Sequence, residues 1–188
     1  MIRPVGALPH TPPGTCVSPN PRFFCLQLLN DTEAIENELE SFCEKYALAE
    51  VEHCFIISPQ GVLCEFKGNA YAVNPAIAGE DYLKGSIGIH NHPIESGKTM
   101  SDSFSEYDLK FDVEYQQGRQ YLISGERRNV FEFTKQYTGD EILRAWENAS
   151  YEMLEQHMKS GTQVVWRHEE ILCILSETLE GFEFYENF

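Results

Sequence analysis

The chain has 188 residues, 42% of them hydrophobic and 23% charged, which suits one globular domain with extensions and a real buried core. Its formal net charge of −16 repels phosphate backbones, which argues against nucleic acid and for protein partners. No apolar run reaches the roughly 18 residues of a membrane span, and the N-terminal stretch lacks the apolar core of a signal peptide. The six cysteines form no C-x-x-C pair and no zinc-finger spacing, so a reducing, cytoplasmic setting is expected.

Residues 1–22 hold six of the nine prolines and read as an extended arm that forms neither a helix nor an interior strand. Phe23–Leu29 reads as a strand. Asn30 and Asp31 offer caps for a helix to about Tyr46, with an apolar stripe at Ile35, Leu39, Phe42, Cys43 and Tyr46. "HCFIIS" and "VLCEF", joined through "PQG", predict a hairpin. Residues 74–85 read as a loop, "SIGI" as a strand running into His90, and Ser105–Gly118 as a helix stopped by Gly118. "RQYLIS" and "NVFEFT" form a second hairpin across "GERR". The order predicts a mixed α/β domain over 23–137. Residues 138–188 read as a helical C-terminal extension. Thr138 and Glu141 make a capping box for a helix with Ile142, Trp146, Ala149 and Met153 on one face, and "HEEILCILSETLEG" makes a second. Such an apolar face invites a protein partner or dimerisation through these helices.

The chemistry concentrates in "HNHPIESGKTMSDSFSEYDL". On a strand, residues i and i+2 share a face, so His90 and His92 aim two imidazoles at one point while Asn91 turns away. Two-point ligation of zinc needs that arrangement. Pro93 ends the strand, leaving both rings at a loop. For the third ligand, Ser105 as a helix N-cap places Asp108 at the third helical position, where its carboxylate turns back toward the cap. Asp102, in the 94–103 loop, is the alternative. His10, His53, His157 and His168 stand outside this pattern and read as structural.

The set H-x-H-P followed by S-x-x-D resembles the JAMM/MPN+ metalloprotease family, most of all its bacterial JAB and RadC-like branch. The resemblance covers about residues 31–135, with a longer spacer between His92 and Asp108 than the family usually has. It implies an α/β fold of the JAB/MPN type, a cytidine-deaminase-like mixed sheet flanked by helices. It also implies zinc held by His90, His92 and Asp108, with Glu52 as general base and Ser105 donating to the oxyanion; Glu65 is the fallback base. The implied activity is that of a deubiquitinase-like isopeptidase cutting after the C-terminus of ubiquitin or a ubiquitin-like modifier. An inactive scaffold subunit on the same fold, or a metal-dependent hydrolase of another substrate, are the alternatives.

Overall fold

The computed structural model describes residues 32–95, 98–99, 103–163 and 167–186. The proline-rich arm, the strand expected at 23–29, the caps at Asn30 and Asp31, and Asp102 all lie outside these residues.

The protein is mixed α/β. In chain order, α1 (Thr32–Tyr46) is followed by β1 (His53–Ile57) and β2 (Leu63–Lys67), then a 3-10 turn at Pro75–Ala78 and the short α2 (Glu80–Leu83). β3 (Ile87–Asn91), β4 (Ile94–Glu95), β5 (Lys98–Thr99) and α3 (Glu106–Tyr115) come next. β6 (Gln120–Ser124), β7 (Arg127–Phe133), α4 (Gly139–Ser160), α5 (His168–Thr178) and β8 (Phe182–Glu186) complete the described chain. Six strands form one mixed sheet in the order β2-β1-β3-β6-β7-β8, and β4 pairs with β5 in a separate ribbon. β3 runs antiparallel to β1 and parallel to β6.

Strand alternation divides the side chains between two faces. Phe55, Ile57, Leu63, Ile89 and Ile123 pack with Leu39, Phe42, Cys43 and Tyr46 of α1. That burial is what makes the predicted stripe a helix face, since propensity alone is a weak determinant. On the opposite face Cys54, Ile56, Cys64 and Phe66 meet Leu83, with Phe111 and Tyr115 of α3 packed against them. Farther along that face, Leu122, Phe131 and Phe182 join Phe104 and Leu109 with Ile142, Trp146, Ala149 and Met153 of α4 and four residues of α5.

Three expectations change here. Residues 74–85 are not a plain loop: Asn74 caps the 3-10 turn by accepting from the Ala76 amide at 3.0 Å, and α2 follows. α3 stops at Tyr115, because Gln116 takes the left-handed conformation (φ 50°, ψ 44°), two residues before the glycine expected to stop it. Gly118 instead donates its N–H to the Ser86 carbonyl at 2.7 Å. The C-terminal segment is not only helical. Its aromatic, acidic end is β8, paired antiparallel with β7 from Phe133↔Phe182 to Asn129↔Glu186. The α4 face that invited a partner is buried inside this protein's own core.

The segment after residue 137 thus supplies an outer strand and much of one core cluster. A chain ending at Tyr137 should therefore lose its cooperative thermal transition, since large buried side chains cost about 2–5 kcal/mol each when removed. A sharp, native-like melt of that truncated chain, followed by circular dichroism, would contradict this.

Candidate metal centre

His90 stands on the β3 face opposite α1, beside Leu122 of β6 and Cys54 of β1. The parallel ladder continues past the end of β3, because the His92 N–H donates to the Ile123 carbonyl at 2.9 Å. Both imidazoles are thus fixed by backbone pairing, with ring centroids 5.3 Å apart. His90 is 8% exposed and His92 9%. Phe104, fully buried, packs edge-on against His90 at 5.7 Å and against Phe131 at 4.6 Å, so the His90 ring has a hydrophobic backstop.

Asn91 turns to the other face, as expected, but it is not idle. Its Oδ1 accepts from the His53 backbone N–H at 2.7 Å and its Nδ2 donates to the Val51 carbonyl at 3.2 Å. It straddles Glu52 in the sequence and ties the start of β1 to the end of β3. Sequence reasoning missed this positioning role. The signal was an Asn between two site histidines, which becomes legible only once β1 and β3 are known to be neighbours. Glu52 also extends the β1–β2 ladder: its N–H donates to the Asn69 carbonyl at 2.8 Å, and its carbonyl accepts from Gly68 at 2.8 Å. Gly68 cannot carry a side chain, because a Cβ there would lie 2.0 Å from the Ala72 carbonyl oxygen. That close return of the chain brings the Val73 N–H onto the Glu52 carboxyl.

Asp108 uses its two oxygens differently. Oδ2 accepts from the Ser105 N–H at 2.7 Å and the Ser105 hydroxyl at 2.8 Å, the expected capping box. Oδ1 faces His90 Nε2 at 3.7 Å, too far for a hydrogen bond. His90 Nε2 is buried with no hydrogen-bond partner. Two ligand atoms that each bind one zinc at about 2.0–2.1 Å can be no more than about 4.2 Å apart, so this gap suits an intervening ion. Donor atoms of His90, His92 and Asp108 all lie within 4.8 Å of one another, the one such trio among the described residues. These three residues can hold a metal ion.

Charge states agree with that use. Burial lowers the His90 pKa, with Asp108 only partly opposing it, so the ring is a neutral, lone-pair-bearing ligand at neutral pH. Burial also pushes Asp108 upward, but His90, His92 and the Ser105 N–H and hydroxyl outweigh it and hold the carboxylate ionised. Glu52 behaves oppositely. Burial raises its pKa well above the ordinary value, nearby Asp108 adds to the rise, and only the Val73 N–H opposes it.

The structure thus brings Glu52, His90, His92, Ser105 and Asp108 to the wall of one cavity. It does not bring Glu65. That residue pairs with Phe55 on the α1 face and accepts from the Tyr46 hydroxyl, so the sheet separates it from His90 and it cannot serve as the fallback base. His53 is stacked on Tyr46 at 3.9 Å, while His157 bonds to Glu170 at 2.7 Å, both in structural settings. His168 packs edge-on against Trp146, yet it lines the cavity as well. No helix among the described residues is long and apolar enough to cross a membrane.

No family model, curated protein or solved structure matches this chain. What the site does must be read from its own geometry.

Two predictions follow from that geometry. Asp108→Ala should lose bound metal, measured by elemental analysis, and should also destabilise α3 by about 1 kcal/mol through the lost capping box; retention of full metal content would remove Asp108 from the ligand set. The second concerns pH. Asp112, 1% exposed, has its pKa raised well above the ordinary value by burial, with Gln120 partly opposing. An acid that binds its proton more tightly when folded makes stability fall as pH rises from the unfolded pKa to the folded one, by up to about 1.4 kcal/mol per pH unit. Asp112→Asn should flatten that fall in chelator-treated protein and stabilise it at neutral pH. Parallel stability curves for variant and wild type, from denaturant titrations between about pH 4 and pH 8, would refute it.

Proposed function

We propose that the chain is a JAMM-type zinc peptidase on a JAB/MPN-like fold. Its reaction is cleavage of the bond after the C-terminal glycine of ubiquitin or a ubiquitin-like modifier. The observation that carries this reading is the convergence, on one cavity wall, of a buried carboxyl with a raised pKa and a His-His-Asp donor set. Zinc is favoured by two imidazoles and one carboxylate, a three-ligand set that leaves a fourth position open. When bound, the ion would polarise the scissile carbonyl and lower the pKa of its water toward 7.

The remaining work falls to this chain's own side chains. Glu52 takes a proton from water and returns it to the leaving amine. A carboxyl raised out of the ordinary acid range is suited to both steps, because general acid–base groups work best near the operating pH. The Ser105 hydroxyl lines the same cavity and can turn its hydrogen from Asp108 Oδ2 toward the oxyanion of the tetrahedral intermediate. Asp108 Oδ2 would then keep its bond to the Ser105 N–H at 2.7 Å, so the cap survives the rotation. His90, His92 and Asp108 fix position only and transfer no proton.

The net charge of −16 fits a protein substrate better than a nucleic acid. Glu52→Gln keeps the side chain's size but cannot accept a proton, so it should cut the cleavage rate of a modifier fusion about 10²- to 10⁴-fold with zinc content unchanged. Wild-type cleavage by that variant would move the base elsewhere, and purified protein without zinc would remove the metal from the reading.

A further inference from the structure

Glu52 owes its direction to a turn whose first residue stands outside the cavity. Both backbone groups of Glu52 are held by residues just before that turn. Its N–H donates to the Asn69 carbonyl and its carbonyl accepts from the Gly68 N–H, each at 2.8 Å. Its carboxyl is held from just after the turn, by the Val73 N–H. Ala70, Tyr71, Ala72 and Val73 line the cavity, whereas Asn69 does not.

Packing does little to hold this turn. No residue from Gly68 to Ala72 is buried, and Tyr71 is 64% exposed. Its shape comes from Asn69 instead. Asn69 Oδ1 accepts from the Tyr71 N–H at 2.8 Å and the Ala72 N–H at 3.1 Å. The Asn69 N–H donates back to the Ala72 carbonyl at 3.0 Å. An Asn side chain that bonds the backbone two residues on stands in for a backbone turn. Here one oxygen serves two successive N–H groups and so sets the direction in which the chain leaves toward Val73. Gly68 permits the tight return, because a Cβ there would lie 2.8 Å from Val73 Cα as well as close to the Ala72 carbonyl. Past the turn, the Val73 side chain packs against the cluster of Cys54, Ile56, Cys64 and Phe66.

We propose that Asn69 is a positioning residue for Glu52: its side-chain carbonyl shapes the turn that delivers the Val73 N–H to the Glu52 carboxyl. Asn91 holds the backbone on either side of Glu52, which decides where the side chain starts. Backbone pairing leaves the side-chain torsions of a glutamate free among their staggered wells. The Val73 N–H selects among them, engaging one carboxyl oxygen and leaving the other for the reacting water. The work of Glu52 as a base rests on the peptidase reading. The grip of the turn on its carboxyl does not.

The test compares Asn69→Ala, Asn69→Ser and Asn69→Asp in the full chain. Asp keeps a side-chain oxygen for the same two N–H groups, and Ser makes such a turn more weakly. With a modifier fusion as substrate, Asn69→Ala should lower kcat about 10- to 100-fold, since a misplacement of about 1 Å can cost about 10²-fold. KM and zinc content should not change. Asn69→Asp should restore the wild-type rate, and Asn69→Ser should fall between. In a Glu52→Gln background Asn69→Ala should cost nothing further, because residues that act as a unit are not additive. A turn that only stabilised the fold would slow both backgrounds alike. Proton–nitrogen NMR spectra of chelator-treated protein need neither turnover nor a folded Asn69 variant. There Glu52→Ala should move the Val73 amide proton upfield, as loss of its acceptor requires. Wild-type kcat in Asn69→Ala, failure of Asn69→Asp to restore it, an equal loss in the Glu52→Gln background, or an unmoved Val73 amide would each overturn the proposal. A Val73 amide that moves, in a chain that cleaves no modifier fusion, would uphold the turn's hold on Glu52 while the peptidase reading fell. Undiminished cleavage by Asn69→Ala would do the reverse.

Discussion

The candidate centre depends on β3 staying paired one residue beyond its formal end. His90 is held by strands on both sides, and His92 by the hydrogen bond to the Ile123 carbonyl. A histidine in a free loop would lose side-chain and backbone entropy when it bound a ligand, of order 1–2 kcal/mol for the backbone alone. Here that loss has already been met by the sheet. The same pairing sends Asn91 to the far face, where it bonds on either side of Glu52 in the sequence. One strand therefore sets the two imidazoles directly and the carboxyl of Glu52 through its neighbour.

Asp108 transmits a second constraint, from helix to site. Because Oδ2 caps α3, the direction of Oδ1 toward His90 is decided by where α3 begins. α3 in turn is seated by Leu109 in the core that α4, α5 and β8 complete. This gives the C-terminal segment an indirect part in the site, although among its described residues only His168 lines the cavity. Burying Glu52, Asp108 and Asp112 is electrostatically costly, and the protein handles it unevenly. Asp108 is stabilised as an anion by His90, His92 and Ser105, whereas Glu52 and Asp112 are pushed toward their neutral forms.

What the sequence made legible was local. The i, i+2 spacing of His90 and His92, the Ser105–Asp108 and Thr138–Glu141 capping boxes, the α1 stripe and both hairpins all depend on residues near each other in the chain. They appear in the structure with small boundary shifts. What escaped depends on neighbours far away in sequence. "FEFYE" alternates like a strand, yet it becomes one only because β7 presents a free edge about fifty residues earlier. Glu65 is as close to Glu52 in sequence as many paired catalytic groups. The register with Phe55 nevertheless sends it to the wrong face, a fact the period-2 rule gives only once the pairing is known. The halt of α3 at Gln116 has a tertiary cause as well. Its carbonyl accepts from the Gly85 amide at 2.7 Å, a contact that competes with continuing the helix.

The same logic explains why the cavity was invisible in the sequence. Gly88 looks like a weak point in a strand, since glycine gains nothing from the pleat, and Gln120 looks like an ordinary polar residue at a strand start. Only the parallel β3–β6 register sets them opposite one another. There the missing side chain of one makes room for the amide of the other. A larger residue at 88 would have given a conventional sheet with a filled face beneath His90. In the observed pair the Gln120 amide fills that space instead and lies beside the Asp112 carboxyl, whose pKa it lowers against the effect of burial. A buried amide opposes folding unless it meets a polar neighbour, so the Gly88–Gln120 pair is tolerated because α3 sets the Asp112 carboxyl beside it.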